Sequence, residues 1–176
     1  MKIWFLRFNI YFLVVAALCM GCKSDSADKT EKKKQAKELS TIRLHLEVNP
    51  DGTDRTATVT VYRATPMLVG MYRAPFLDES SLEEATVVED PGGYSIRLKF
   101  EYPRGARFLE MATTGYKGQR IIVEAAFPEL RCLAAPIITR RIVDGVFEFT
   151  PDASREETER IVRGLNNMVK KMKKEK

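Results

Sequence analysis

From Ile42 to Asn49 the chain alternates without a break: Ile42, Leu44, Leu46 and Val48 on one side, Arg43, His45, Glu47 and Asn49 on the other. A period of two over eight residues is the signature of a strand with one apolar face, and it commits this part of the chain to a sheet. The turn chemistry of Pro50 and Gly52 follows, and "TATVTVYR" then alternates again with Ala57, Val59 and Val61 on one face. The expectation is a β-hairpin, with His45 beside Arg43 and Glu47 on its solvated side.

Further β signals follow at intervals. "PMLVGMYRAPF" reads as extended, while "TVVED" and "YSIRLKFEY" flank a Pro91-Gly92-Gly93 turn. "RIIVEAAF" is strongly β-forming, and Asp144-Gly145 has the form of a tight hairpin turn after "PIITRRIV". Helical signals are interleaved. Ser80 and Ser81 each have a Glu three residues on, which predicts a helix start before Ala85. Arg104 to Thr114 reads as a helix with Ala106, Leu109 and Met111 or Ala112 inward and Gly115 as its stop. Ser154 and Glu157 form a capping box for a last helix, whose Ile161, Val162, Leu165, Met168, Val169 and Met172 share an arc of roughly 120°. The class expected is α+β: a single mixed or antiparallel sheet packed by two to three helices and preceded by a β-hairpin.

The first forty residues do not belong to that domain. Lys2 and Arg7 precede an apolar run from Ile10 to Met20. The run is short of the ~20 residues a membrane span needs, so residues 1–21 read as an export signal. "LCMGC" resembles the bacterial lipobox, with Cys19 where that pattern usually has Leu. The resemblance implies that Cys22 is lipidated and becomes the mature N-terminus. Residues 22–41 are Lys, Glu, Asp and Ser with almost nothing apolar, a charged tether spanning ~25 Å root-mean-square if flexible. The domain then runs over 42–170 and a basic tail over 171–176, placed to touch anionic lipid. The net charge of +5 is concentrated in that tail and the leader, which argues against a nucleic-acid face. With Cys19 lost and Cys22 lipidated, Cys132 has no internal disulfide partner and reads as a small buried hydrophobe.

A search for catalysis finds no constellation. His45 is the only histidine, and no cysteine pair supplies metal-ligand spacing. No nucleophile elbow, Walker loop or dinucleotide fingerprint occurs. Glu83-Glu84 and Glu156-Glu157 sit in expected first helical turns, where the helix dipole accounts for them. Phe100, Phe108, Phe127, Phe147 and Phe149 fall at core-like periods. No cofactor, metal or enzymatic activity is expected.

In order along the chain, "LEEATV", "YSIRLKF", "MATTGYKGQRIIVEAAF" and "APIITRRIVDGVFEFTPDASREETERI" resemble the head part of the first periplasmic domain of the translocase subunit SecD, also present in fused SecDF proteins. The resemblance spans residues 77–166, with residues 42–63 outside it. It implies an alanine-delivering helix at "LEEATV", a hairpin closed at Asp144-Gly145 and a capped final helix. SecD itself has several membrane-spanning helices, whereas no apolar segment after Met20 is long enough here. The expected function is therefore that of a lipid-anchored, non-catalytic binding module on the extracytoplasmic side of a bacterial envelope, accessory to protein export or envelope assembly. Its partners would be the membrane, through Cys22, and exported polypeptide, the translocon or an envelope protein. The candidate contact edge is Ile137, Ile138, Arg140 and Arg141, by strand addition; charges that block strand pairing are the other role of the two arginines. A structural envelope adaptor and, more remotely, a small-ligand sensor or enzyme remain alternatives.

Overall fold

The computed structural model describes Gln35 and residues 37–175. The expected export signal, Cys22 and residues 22–34 and 36 of the expected tether lie outside the described residues. Among the described residues nine strands and two longer α-helices are formed: β1 (Thr41–Leu46), β2 (Thr56–Val61), β3 (Met67–Tyr72), β4 (Leu77–Asp78), β5 (Leu82–Asp90), β6 (Gly93–Phe100), α1 (Arg104–Gly115), β7 (Ile121–Ala126), β8 (Leu130–Ala134), β9 (Val146–Phe149) and α2 (Arg155–Glu175). The α+β class holds. The expected single sheet is instead three antiparallel sheets, ordered β4-β1-β7-β8, β2-β3 and β5-β6-β9.

β1 is a central strand. It pairs with β7 from Thr41↔Ala126 to Leu46↔Ile121 and with β4 at Arg43 and Leu44. The expected hairpin between residues 42–49 and 56–63 does not form, because β2 pairs with β3 along its whole length, from Thr56↔Tyr72 to Val61↔Met67. That second hairpin folds over the far face of the four-stranded sheet. Val48 N–H donates to Gly70 O at 3.1 Å, and β2 lies beside β8. Gly70 makes the close approach possible, since a Cβ there would meet the Pro50 ring 2.6 Å away.

Two cores result. In the larger, Ile42, Leu44 and Leu46 of β1 face Ile96, Leu98 and Phe100 of β6, Leu109 of α1 and Ile161, Leu165 and Val169 of α2. Each such side chain contributes roughly 1.5–3 kcal/mol by leaving water, as an upper bound. The smaller core joins Val61, Val69 and Met71 of the hairpin to Ile122, Cys132 and Ala135 beneath it. All of these side chains belong to residues 37–175, so this part of the chain carries its own core.

The helices follow their apolar spacing. α1 buries Ala106, Leu109 and Ala112 and leaves Met111 outside. α2 starts where expected, with Glu157 N–H donating to Ser154 Oγ at 3.2 Å, and packs across β5 and β1. Its N-terminal neighbour in space is a strap of residues 38–40. The Glu38 carboxylate takes hydrogen bonds from Arg160 (3.0 Å) and Arg163 (3.2 Å), and Ser40 crosses directly over Gly164.

The segment after Glu79 departs from expectation. Ser80 and Ser81 lie in a single 3-10 turn capped by Asp78, and Leu82–Asp90 is a strand, not a helix. Antiparallel pairing with β6 from Leu82↔Phe100 to Asp90↔Gly93 outweighs the local helix signal.

Candidate functional site

The stretch from Ala135 to Gly145 was expected to be a strand closed by an Asp-Gly hairpin. It is neither. Residues 136–138 run against residues 118–121: Ile121 N–H donates to Pro136 O (3.0 Å), Ile138 N–H to Gln119 O (2.8 Å) and Gly118 N–H to Ile138 O (2.9 Å). The chain then leaves the ladder and crosses α1, where Ile142 N–H donates to Thr113 Oγ1 at 3.0 Å. Asp144 caps the turn by accepting from Val146 N–H at 3.1 Å. Gly145 takes φ 70° and sits on Ala106, where a Cβ would come within 2.9 Å of the alanine methyl. The Asp-Gly pair thus seats β9 on α1 and does not fold two strands together.

This detour leaves β9 exposed along one edge. β9 pairs with β6 from Ile96↔Phe149 to Lys99↔Val146 and ends its sheet, with no strand on its other side among the described residues. A groove of about 460 Å³ separates that edge from the detour. Its walls are Val146, Phe147 and Glu148 of β9 and Pro136 to Arg140 with Ile142 opposite. Its lining is mixed, with Pro136, Ile137, Ile138, Ile142, Val146 and Phe147 beside the charged Arg97, Arg140, Asp144 and Glu148. The Glu148 carboxylate is fixed there: it accepts from Ser95 Oγ (2.8 Å) and Arg97 Nε (2.9 Å), and these two contacts hold its pKa below the ordinary carboxylate value.

The four residues singled out by sequence are partly brought together. Ile137 is 49% exposed and lines the groove with Arg140. Ile138 also borders it but is buried in the main core, with its backbone N–H and C=O already paired inside the domain. Arg141 turns away to pair with Glu110 of α1. The β9 wall went unrecognised, because "VFEF" gives the strand but not which neighbour it lacks.

A second cluster lies under the β2–β3 hairpin. His45, expected on a solvated face, is 2% exposed. Its Nδ1 is 2.8 Å from Tyr72 O, a carbonyl that can only accept, so Nδ1 donates there, and its Nε2 lies 3.3 Å from Glu124 Oε2. The Cys132 thiol points at Glu124 Oε1 from 3.8 Å. The Glu124 carboxylate is held below its ordinary value, chiefly by His45. Burial and the same carboxylate push the Cys132 thiol up to about 12. A thiol that stays protonated is no nucleophile at neutral pH, so the cluster acts as a polar rivet between hairpin and sheet. Among the described residues no group of three or more His, Cys, Asp or Glu is placed to hold a metal ion.

What the fold defines is a SecD-like α+β domain of antiparallel sheets. Solved structures of SecDF, described as a membrane component that enhances protein export, share the arrangement: one aligns with a TM-score of 0.56 and 19% identity over 83% of this chain and 70% of its own. SecDF in its Super-membrane-facing form aligns with a TM-score of 0.54 and 20% identity over 82% of this chain, which spans 21% of that longer protein. No family model and no curated protein matches the chain. No described helix is long and apolar enough to cross a membrane.

Proposed function

We propose that this chain is a non-catalytic binding module of the bacterial envelope, anchored through lipid on Cys22, which holds extended polypeptide as an accessory to protein export. The observation that supports this most is the unpaired edge of β9 along a groove of mixed polar and apolar lining. An extended segment added there would gain main-chain hydrogen bonds from β9 and seat alternate side chains against Ile137 and Phe147. Main-chain pairing is tolerant of sequence, which suits a client that arrives unfolded. The SecD-like fold agrees with this reading, and so does the Glu148 carboxylate, already engaged with Ser95 and Arg97. Ile137 and Arg140 carry the contact on one wall and β9 on the other.

Photo-crosslinking in cells tests it, with probes at Ile137, Arg140 and Val146. Crosslinks to many exported chains or to the translocon are expected. Crosslinks to one envelope protein would make the module a dedicated adaptor, and none at any position would end the export reading. The anchor is tested separately: Cys22→Ala should abolish incorporation of labelled fatty acid.

A further inference from the structure

Helix α1 has an outer face that a solvated helix would not have. Arg104, Arg107, Phe108, Met111, Thr114 and Gly115 recur at helical spacing and line a shallow groove of about 930 Å³, with Arg141 opposite. Phe108, which its period assigned to the core, is 41% exposed, and Met111 is 59% exposed. Tyr102, just ahead of the helix, is 83% exposed. The outer face of a surface helix is ordinarily polar, and aromatic and thioether side chains gathered on one mark a contact surface.

The charges on this face are unspent. Elsewhere in the domain Arg63, Arg97, Arg131, Arg155, Arg160 and Arg163 each pair with a carboxylate. The side chains of Arg104 and Arg107 have no ion pair or hydrogen-bond partner among the described residues. Arg141 and Glu110 offset each other, so the groove keeps the two positive charges of Arg104 and Arg107. A second copy seated on the same face would bring those arginines together and repel. The complementary occupant is anionic, with apolar surface behind its charge.

We propose that this face of α1 rests on anionic lipid headgroups, with Phe108, Met111 and Tyr102 dipping toward the acyl boundary and Arg104 and Arg107 meeting phosphates. Long arginine stems lie along apolar surface while their heads stay at the polar level, the arrangement an interface between water and lipid selects. The anchored reading adds reach. With Cys22 lipidated the domain would be confined beside a membrane, so that a weak contact suffices. Only this last point rests on the lipid anchor.

The test uses residues 37–176, which carry both cores and lack the leader and Cys22. Binding is measured by co-sedimentation with phosphatidylcholine vesicles, with and without phosphatidylglycerol. Binding should require the anionic lipid. Arg104→Gln with Arg107→Gln should weaken it about thirtyfold at low salt, taking ~1 kcal/mol for each basic residue. Phe108→Ser with Met111→Ser should weaken it further. Because α2 ends in Lys170, Lys171, Lys173 and Lys174, a variant with these four changed to Gln is run beside them and should retain the α1-dependent part. A bimane probe on Met111→Cys should shift to the blue on the same vesicles. Binding that survives the α1 substitutions but is lost with the lysines would overturn the proposal. So would no vesicle binding, and capture of an acidic helical peptide by Phe108 in place of lipid would give the face to a protein.

Discussion

Gly164→Ala is expected to destabilise a helix that alanine ordinarily strengthens. Taken alone, the exchange inside α2 should gain ~1 kcal/mol, because alanine gives up less backbone freedom on folding. The strap decides otherwise. A Cβ on Gly164 would lie 2.9 Å from Ser40 N and 3.0 Å from Ser40 Cβ, and closer still to Ser40 Oγ. Backbone and a short buried side chain cannot swing aside, so strap and helix must separate. Forcing a methyl into such a contact costs ~1–3 kcal/mol. Lifting the strap also strains the Glu38 contacts to Arg160 and Arg163, which as partly exposed pairs are worth ~0.5 kcal/mol each. The net loss is ~1–3 kcal/mol, a fall in Tm of roughly 3–10 °C for a domain of this size. Thermal and urea unfolding of residues 37–176 measure it. Gly115→Ala is the control: no atom lies within 4 Å of its would-be Cβ, and it should gain a few tenths of a kcal/mol. Ser40→Gly added to Gly164→Ala should restore part of the loss, since Oγ and Cβ go while Ser40 N remains. A Gly164→Ala domain as stable as the parent would refute the seating of the strap on α2.

Two further predictions concern the cluster beneath the hairpin. Glu124 has a depressed carboxylate, so the stability it contributes is present above its unfolded value and is lost as pH falls through the folded one. Glu124→Gln should therefore cost ~1–3 kcal/mol at neutral pH, and the gap to the parent should close on acidification below about pH 4. A gap that stays constant into acid would deny the His45–Glu124 contact. Cys132 is the only cysteine of residues 37–176. With its thiol pushed up to about 12 it should resist thiol reagents at pH 8 until denaturant is added, and rapid labelling of the folded domain would place it outside the core.

Elements whose local signals agree with their packing could be read from the chain. α2 has its cap at Ser154 and its apolar arc, α1 stops at Gly115, and β5 and β6 meet around Pro91-Gly92. The failures share one cause. Alternation says which residues share a face, not whether something later covers the other face. His45 sits among polar neighbours in sequence, yet a hairpin formed by residues 56–72 closes over it. Ser80 to Glu84 satisfies a helix-start pattern, but β6 offers Leu82–Asp90 a ladder. Of the residues that line the groove, Ile137, Ile138 and Arg140 had been named from the sequence as a candidate edge. Its β9 wall was not, because a strand's missing neighbour is a property of the sheet order. Phe108 was misplaced because residues 104 to 115 carry apolar positions on both sides of the helix.

The strap over α2 also determines how the domain would bear tension. A pull arriving from the N-terminal side meets Glu38 before it reaches any strand, and its bonds to Arg160 and Arg163 pass part of the load to the middle of α2. The rest of the force reaches Thr41, where β1 begins, and all of it does once that clasp slips. β1 is stitched to β7 by an unbroken ladder through Leu46, and a pull along the strand loads those hydrogen bonds together instead of one after another. The clasp thus shares a pull with the central sheet, and the β1–β7 ladder carries what the clasp does not.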